Sequence, residues 1–230
     1  MFQANRRFPP SIALPAIGWL LWFLLIPLGF VVVYSFAQKG MYGGIVFEYS
    51  FENYIRAGDW LYLRIFFNSL KLAFFTALSC LLIGYPLAYA MATAPACLRP
   101  LLMGLVVLPF WTNFVIRVYA IKVVLSEHGP ISWLAVALGL SVEPVSFLNG
   151  SLAVWLGMVT NYLPFAVLPL YVALEKFDFS LLEAARDLGA SSGQMLMRVL
   201  FPLTRRFMVT GFILVFTPAL GEFIIPDLLG

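Results

Sequence analysis

SLLEAARDLGASSGQ, Ser180–Gln194, sets Glu183, Arg186 and Asp187 among small and polar residues, while the runs flanking this region are continuously apolar. A polar hairpin held between two such runs is the pattern of a chain that crosses a membrane, turns in water and crosses again. Composition agrees: 62% of the 230 residues are hydrophobic and 11% are charged, against about 25% charged in a soluble domain. The mean hydropathy is +0.95. The chain is an integral membrane protein.

Outward from the hairpin, the spans are read from the gaps between charged residues, since a crossing helix needs roughly 20 mostly apolar residues. Such gaps separate Arg7 from Lys39, Lys71 from Arg99, Arg99 from Arg117, Glu143 from Glu175, and Arg206 from Glu222. Spans are expected at about 12–37, 68–92, 100–124, 146–173 and 207–225, with a polar loop over 176–205. Arg117 and Lys122 fall inside the third, with side chains expected to reach toward an interface. The first gap exceeds the apolar core of a signal peptide and has no small-residue cleavage site, so it reads as a retained helix. None of the runs alternates with a period of two, which excludes a transmembrane β-barrel. The expectation is an all-α polytopic fold with five helices in one domain, 1–230, because only helices or closed barrels satisfy the backbone in lipid.

Basic residues orient the chain. With a cytoplasmic N-terminus, Arg6, Arg7, Arg99, Lys176, Arg186, Arg198, Arg205 and Arg206 lie inside, and Lys39, Arg56, Arg64, Lys71, Arg117 and Lys122 outside. The inside set is larger, and Arg6–Arg7 and Arg205–Arg206 directly abut spans. The polar hairpin then faces the cytoplasm. Five crossings leave GEFIIPDLLG outside without a polar tail, and the chain is expected to stop short of at least one further helix.

Catalytic chemistry finds little support. Cys80 and Cys97 form neither a disulfide framework nor a CxxC site and read as buried small side chains. His128 is the only histidine, which excludes bis-histidine haem ligation and argues against zinc hydrolysis. No Walker A pattern occurs. Prolines at positions 27, 86, 109, 164, 169 and 218 interrupt the spans; each either kinks a helix beside a pathway or reflects the general richness of membrane helices in proline. Gly84, Ala88, Gly157 and Gly211 suit close helix packing.

Within the hairpin, Ser180 and Glu183 have the spacing of a capping box, which would start a helix at Leu181. Leu181, Ala185 and Leu188 then share one face, and Gly189 is placed to end the helix in a left-handed cap. Ser191 and Gln194 offer a second capping box, with a second short helix redirected at Pro202. The loop thus reads as a preformed, angled knob, against the plainer alternative of a solvated connection.

EAARDLGASSGQMLMRVLFPL, Glu183–Leu203, resembles the EAA loop of the membrane subunits of ATP-binding-cassette (ABC) importers: EAA, three residues, Gly, nine residues, Ile, one residue, Leu-Pro. Val199 stands in the Ile position and Phe201 in the Leu position. LLIGYPLAYAMA, LPFWTNFVIRVYA, NYLPFAVLPLY and PALGEFIIPDLLG are similar to segments of spermidine/putrescine importer permeases, so the likeness extends over nearly the whole chain.

That resemblance implies a type I ABC importer transmembrane domain of six core helices, of which this chain is expected to lack the sixth, and a permease with no catalytic residues and no metal or cofactor of its own, ATP and Mg being bound by a partner ATPase. Its implied partners are a cytoplasmic ABC ATPase dimer, a second permease subunit, a periplasmic polyamine-binding protein and membrane lipid, with no nucleic acid. Its site is the bacterial inner membrane. Glu183, Ala184, Ala185, Gly189 and Pro202 would couple the loop to the ATPase. For a polycationic solute the path would use carboxylates and aromatic faces. Glu222 is the candidate acid, with Asp227, Trp111, Tyr162 and Phe165 as companions; an acid kept near lipid is costly and calls for a reason. Arg117 would repel a cation, and so would line an outer docking surface or pair with an acid. A permease for another small solute, an ion-driven secondary transporter and a non-transporting scaffold or enzyme subunit stand as alternatives.

Overall fold

The computed structural model describes residues 14–39, 45–46, 49–139, 141 and 143–230. Arg6 and Arg7, on which the orientation leans, and positions 12 and 13 of the first expected span lie outside the described residues. The chain divides into two compact units, residues 1–66 and 67–230. Each is built on helices, as apolar sequence without period-two alternation requires.

The first unit holds α1 (Leu14–Ser35), a two-residue-per-strand antiparallel hairpin, β1 (Gln38–Lys39) with β2 (Ile45–Val46), then α2 (Glu52–Ala57) and the start of α3 (Trp60–Thr93). Among its described residues, α1 buries none of its side chains. An apolar helix exposed all round is suited to lipid. At its C-terminal end the Phe36 and Ala37 amides donate to Val33 O and Tyr34 O, and Asn53 Nδ2 donates to Ser35 O at 3.0 Å and to Ala37 O just beyond the helix at 2.8 Å.

The second unit continues α3 and adds α4 (Arg99–Trp111), α5 (Phe114–Leu125), α6 (Pro130–Ala137), α7 (Ser151–Glu175), α8 (Ser180–Asp187), α9 (Ser192–Met195), a π turn (Leu196–Leu200), α10 (Phe201–Leu220) and α11 (Ile224–Leu229). The core centres on α7, whose buried positions run from Ala153 to Leu174. α10 packs along α7, and α4, α5 and α11 also lie against it. α3 turns a stripe of small residues, Ala73, Ala77, Cys80, Gly84 and Ala88, into the core. Small side chains let helix backbones approach where no water drives them together. A Cβ on Gly84 would sit 3.3 Å from Val167 Cγ2, and one on Gly157 only 2.5 Å from Leu229 Cδ1.

Among the described residues, four continuous helical runs are long and apolar enough to cross a membrane: Leu14–Ser35, Trp60–Thr93, Ser151–Glu175 and Ser192–Leu220. The run expected as one span over 100–124 is instead a broken pair, bent by 97° between Trp111 and Phe114. Thr112 is extended, and Asn113 opens α5 as its N-cap, its side chain accepting from the amides of Val115 and Ile116. Pro27, Pro86, Pro164 and Pro169 sit inside helices that continue through them; Pro109 adjoins the break. The last span also starts earlier than expected and ends sooner. α10 stops at Leu220, and α11 packs against α7 and α5.

Candidate functional site

Two places hold the candidate residues, one around the break between α4 and α5 and one at the polar hairpin. At the break, the terminal carbonyls of α4 lack helical partners. Pro109 O accepts from the Thr112 amide at 3.3 Å and hydroxyl at 2.8 Å, and Arg117, one turn into α5, adds a bond from Nη2 to Pro109 O and to the C-cap carbonyl Thr112 O at 3.3 Å. The guanidinium therefore sits where a helix C-terminus favours a cation. It makes no ion pair with an acid, since among the described residues the only pair within 4.0 Å is Arg56–Glu52. The paired-acid expectation for Arg117 gives way to a backbone clamp that holds the broken span.

Arg117 shares a cavity of about 470 Å³ with Phe110, Thr112, Phe114, Asn161, Tyr162, Phe165 and Glu222. α7 presents Asn161, Tyr162 and Phe165 on one face by helical spacing. Phe165 meets Phe110 edge to face with ring centroids 5.0 Å apart, and Tyr162 lies 6.1 Å from Phe165. Glu222 arrives from the turn between α10 and α11. Its Oε2 accepts from the Tyr162 hydroxyl at 2.6 Å, and its Oε1 accepts from the amides of Ile224 at 2.9 Å and Ile225 at 3.3 Å. One carboxylate thus fastens the start of α11 to α7 while keeping its charge at a cavity walled by aromatic rings.

The structure brings Tyr162, Phe165 and Glu222 together, three of the five residues named for a path. Trp111 is 88% exposed and borders a separate apolar depression with Pro100, Leu101, Leu105 and Leu108. Asp227 is exposed on α11 and does not line the cavity. Asn161 was legible as an amide within an apolar run, next to Tyr162; Phe110, Thr112 and Phe114 became relevant only once the span broke and folded back on α7.

At the hairpin, α8 begins one residue earlier than the Ser180–Glu183 box requires. Phe179 is the N-cap without a side-chain bond, Ser180 is already helical, and the Asp178 carboxylate accepts from the Ser180 amide at 3.0 Å. The Asp178 carboxylate thus takes the amide that the Glu183 side chain would take in the box, and the Glu183 amide donates to Phe179 O at 3.3 Å instead of to the Ser180 hydroxyl. Gly189 does end α8 in the left-handed region, at φ +84°. The Ala190 amide donates to Ala185 O at 3.0 Å and the Gly189 amide to Arg186 O at 2.8 Å, the two bonds of a Schellman ending. The Ser191–Gln194 capping box forms in both directions. Glu183 and Ala184 are exposed and Ala185 is half-buried; Leu181 is exposed, and Leu188 is 89% exposed, so the face they share has no cover in this chain. The opposite face, with Phe179 and Leu182, closes on Met195.

Beyond α9 the turn widens: the Phe201 amide donates to Leu196 O, five residues back. Pro202 accounts for it, since its ring would crowd the Arg198 carbonyl in a regular α turn and it has no N–H to donate. Leu200 is fully buried beside Tyr85, whose hydroxyl lies 3.0 Å from Thr204 Oγ1, and the Tyr85 and Phe201 rings meet edge to face at 4.8 Å. The hairpin is thereby keyed into α3 and α7.

Residues 10–230 match the family described as the binding-protein-dependent transport system inner membrane component. The chain is 42% identical over 226 residues to the spermidine/putrescine transport system permease protein PotB of Haemophilus influenzae, covering 98% of this chain and 79% of that protein. It is 32% identical over 155 residues to the molybdenum transport system permease protein ModB of Azotobacter vinelandii, covering 67% of each. A bacterial ABC transporter that imports the acidic polysaccharide alginate has a chain of the same fold, with a TM-score of 0.70 at 20% identity over 92% of this chain and 72% of that one. A hairpin keyed into broken and continuous apolar helices is what this matched length encodes, and the chain belongs to the family of inner membrane components of binding-protein-dependent transport systems.

Proposed function

We propose that this chain is a permease subunit of an ATP-driven importer that carries putrescine or spermidine across the inner membrane. The fold alone leaves the solute open, because relatives named for molybdenum and for alginate share it. The observation that favours a polyamine is the cavity: one carboxylate, Glu222, among Phe110, Phe114, Tyr162 and Phe165. Aromatic faces and a carboxylate attract an alkylammonium and not an oxyanion. Arg117 weakens that attraction, its Nη2 being directed to the carbonyls of Pro109 and Thr112. The relatives named for spermidine and putrescine point the same way.

In this reading a periplasmic binding protein delivers the solute, a second permease subunit completes the path, and a cytoplasmic ATPase dimer binds ATP and Mg. The open face of α8 with Leu181 and Leu188 docks on the ATPase, Glu183 and the small Ala184 and Ala185 sit at the contact, and Gly189 and Pro202 fix the angle of the lever. The N-terminus lies in the cytoplasm. The test is uptake of labelled putrescine and spermidine by the four-component complex in proteoliposomes. ATP-dependent uptake is expected, and Glu222→Gln should lower it about tenfold, the cost of losing a hydrogen bond to a charged group. Uptake that ignores ATP would instead favour an ion-driven carrier, and unchanged uptake by Glu222→Gln would remove the cavity from the path.

A further inference from the structure

Two side-chain atoms of the cavity wall are buried without a hydrogen-bond partner, the donor Arg117 Nε and the acceptor Asn161 Oδ1. Asn161 is 2% exposed on α7, and polar groups so buried are ordinarily paired. Its Nδ2 donates to Gly157 O at 2.8 Å, which fixes the orientation of the amide, because the flipped form would set oxygen against oxygen. Its Oδ1 then has no donor at all. A buried acceptor without a partner is costly to fold, and such groups are expected where a ligand supplies the missing bond.

Glu222 shows the complementary vacancy. Oε1 is filled by two amides and Oε2 by the Tyr162 hydroxyl, which leaves one lone pair of Oε2 and the whole negative charge unmatched by any cation within 4.0 Å. We infer that Asn161 Oδ1 and Glu222 Oε2 together form a subsite for one primary ammonium group, enclosed by the rings of Phe110, Phe114 and Phe165.

The choice of ligand follows from the donors required. A primary ammonium carries three N–H donors on a compact cation, enough for the amide oxygen and the carboxylate. A quaternary ammonium has none and would leave Asn161 unsatisfied. A guanidinium would bring its planar fork beside Arg117, already fixed in the same wall. An anion would face Glu222. A single carboxylate holds a single ammonium, so a polyamine passes with one end bound and its remaining charges elsewhere. Arg117 keeps the site weak, as a transit site must be if its occupant is to leave.

The polyamine reading enters only through the choice of probe. Equilibrium binding of labelled putrescine and of labelled methylammonium is measured on the permease–ATPase complex in nanodiscs without the binding protein. Methylammonium is expected to displace putrescine and tetramethylammonium to fail, because the site needs N–H donors and not only a positive charge. Asn161→Leu should raise both dissociation constants about tenfold, and Asn161→Gln, which keeps an amide donor and an amide acceptor, should recover part of the binding. Should Asn161→Leu not assemble, the contrast between the two competitors and the Asn161→Gln complex still decides. Putrescine binding that is unchanged in Asn161→Leu, or displaced equally well by tetramethylammonium, overturns the subsite and leaves the polyamine reading standing. Methylammonium binding that depends on Asn161 in a complex that neither binds nor imports putrescine sinks the polyamine reading and keeps the subsite. Binding of neither probe removes both.

Discussion

Asp178 and Gly189 set the two ends of α8, and each leads to a measurable outcome. The Asp178 carboxyl is held below the usual carboxylate value because the Ser180 side chain and amide hydrogen-bond its ionised form. A depressed carboxylate stabilises the fold above its unfolded value of about 3.9 and loses that contribution as the pH falls through its lowered folded value. From about pH 5 to 8 the start of α8 should therefore be indifferent to pH. The hydrogen-exchange protection factor of the Ser180 amide, with the base-catalysed intrinsic rate divided out, checks this, being flat across that window and lower in Asp178→Ala at every pH within it. Gly189 has open space around its Cα, so a substitution there meets strain and not a clash. Gly189→Val forces a β-branched residue to φ +84°, costing about 1–2 kcal/mol and displacing the hairpin. Uptake should fall while ATP hydrolysis by the complex persists, and Gly189→Asn should retain most of the uptake because asparagine tolerates this region.

Elements carry the next layer. The break between α4 and α5 rests on the Asn113 cap and on the Arg117 clamp. Asn113→Ala should cost about 1 kcal/mol and lower the melting temperature, with Asn113→Ser recovering most of it. An equal loss in both variants would show that the cap is not what holds the break. Further along, Pro202→Ala returns an N–H to the chain and removes the ring that widens the turn. Replacement of the π turn by α geometry would rotate the hairpin against α10 by roughly 100°, one residue of helical phase. Reduced uptake with an assembled complex is the expected result, read from uptake and co-purification of the ATPase together; full uptake would mean that buried Leu200 alone sets the phase.

For the whole molecule the question is which way it faces. With alternate crossings and a cytoplasmic N-terminus, the loop after α5 lies in the periplasm and α8 in the cytoplasm. Glu127→Cys and Arg186→Cys, both exposed positions, should then react with a membrane-impermeant thiol reagent from opposite sides in a Cys97→Ser background. Labelling of both from one side would overturn the crossing pattern. At this scale the helical class, the positions of the apolar runs and the polar hairpin were legible, because a membrane imposes its thickness and its intolerance of unpaired backbone directly on local sequence. The bend in the third run was signalled only faintly, by Pro109 followed by Thr112 and Asn113, since apolar composition is the same in one span and in two half-helices.

Sequence by itself determined what depends on neighbours in the chain: the class of fold, the left-handed end of α8 at Gly189, the Ser191–Gln194 box and the family pattern from Glu183 to Pro202. Tertiary structure alone decided what depends on residues far apart. Tyr162 and Glu222 are 60 positions apart and share a hydrogen bond; Trp111 and Asp227, equally suitable by type, are elsewhere. Arg117 turned from a repelling charge into the clamp of a helix end once the span broke, whereas the Asp178–Ser180 bond, two residues apart, was a local contact masked by the serine–glutamate spacing. Side-chain chemistry can be read one residue at a time, but a site is a matter of which carbonyls, amides and rings the packing brings within reach.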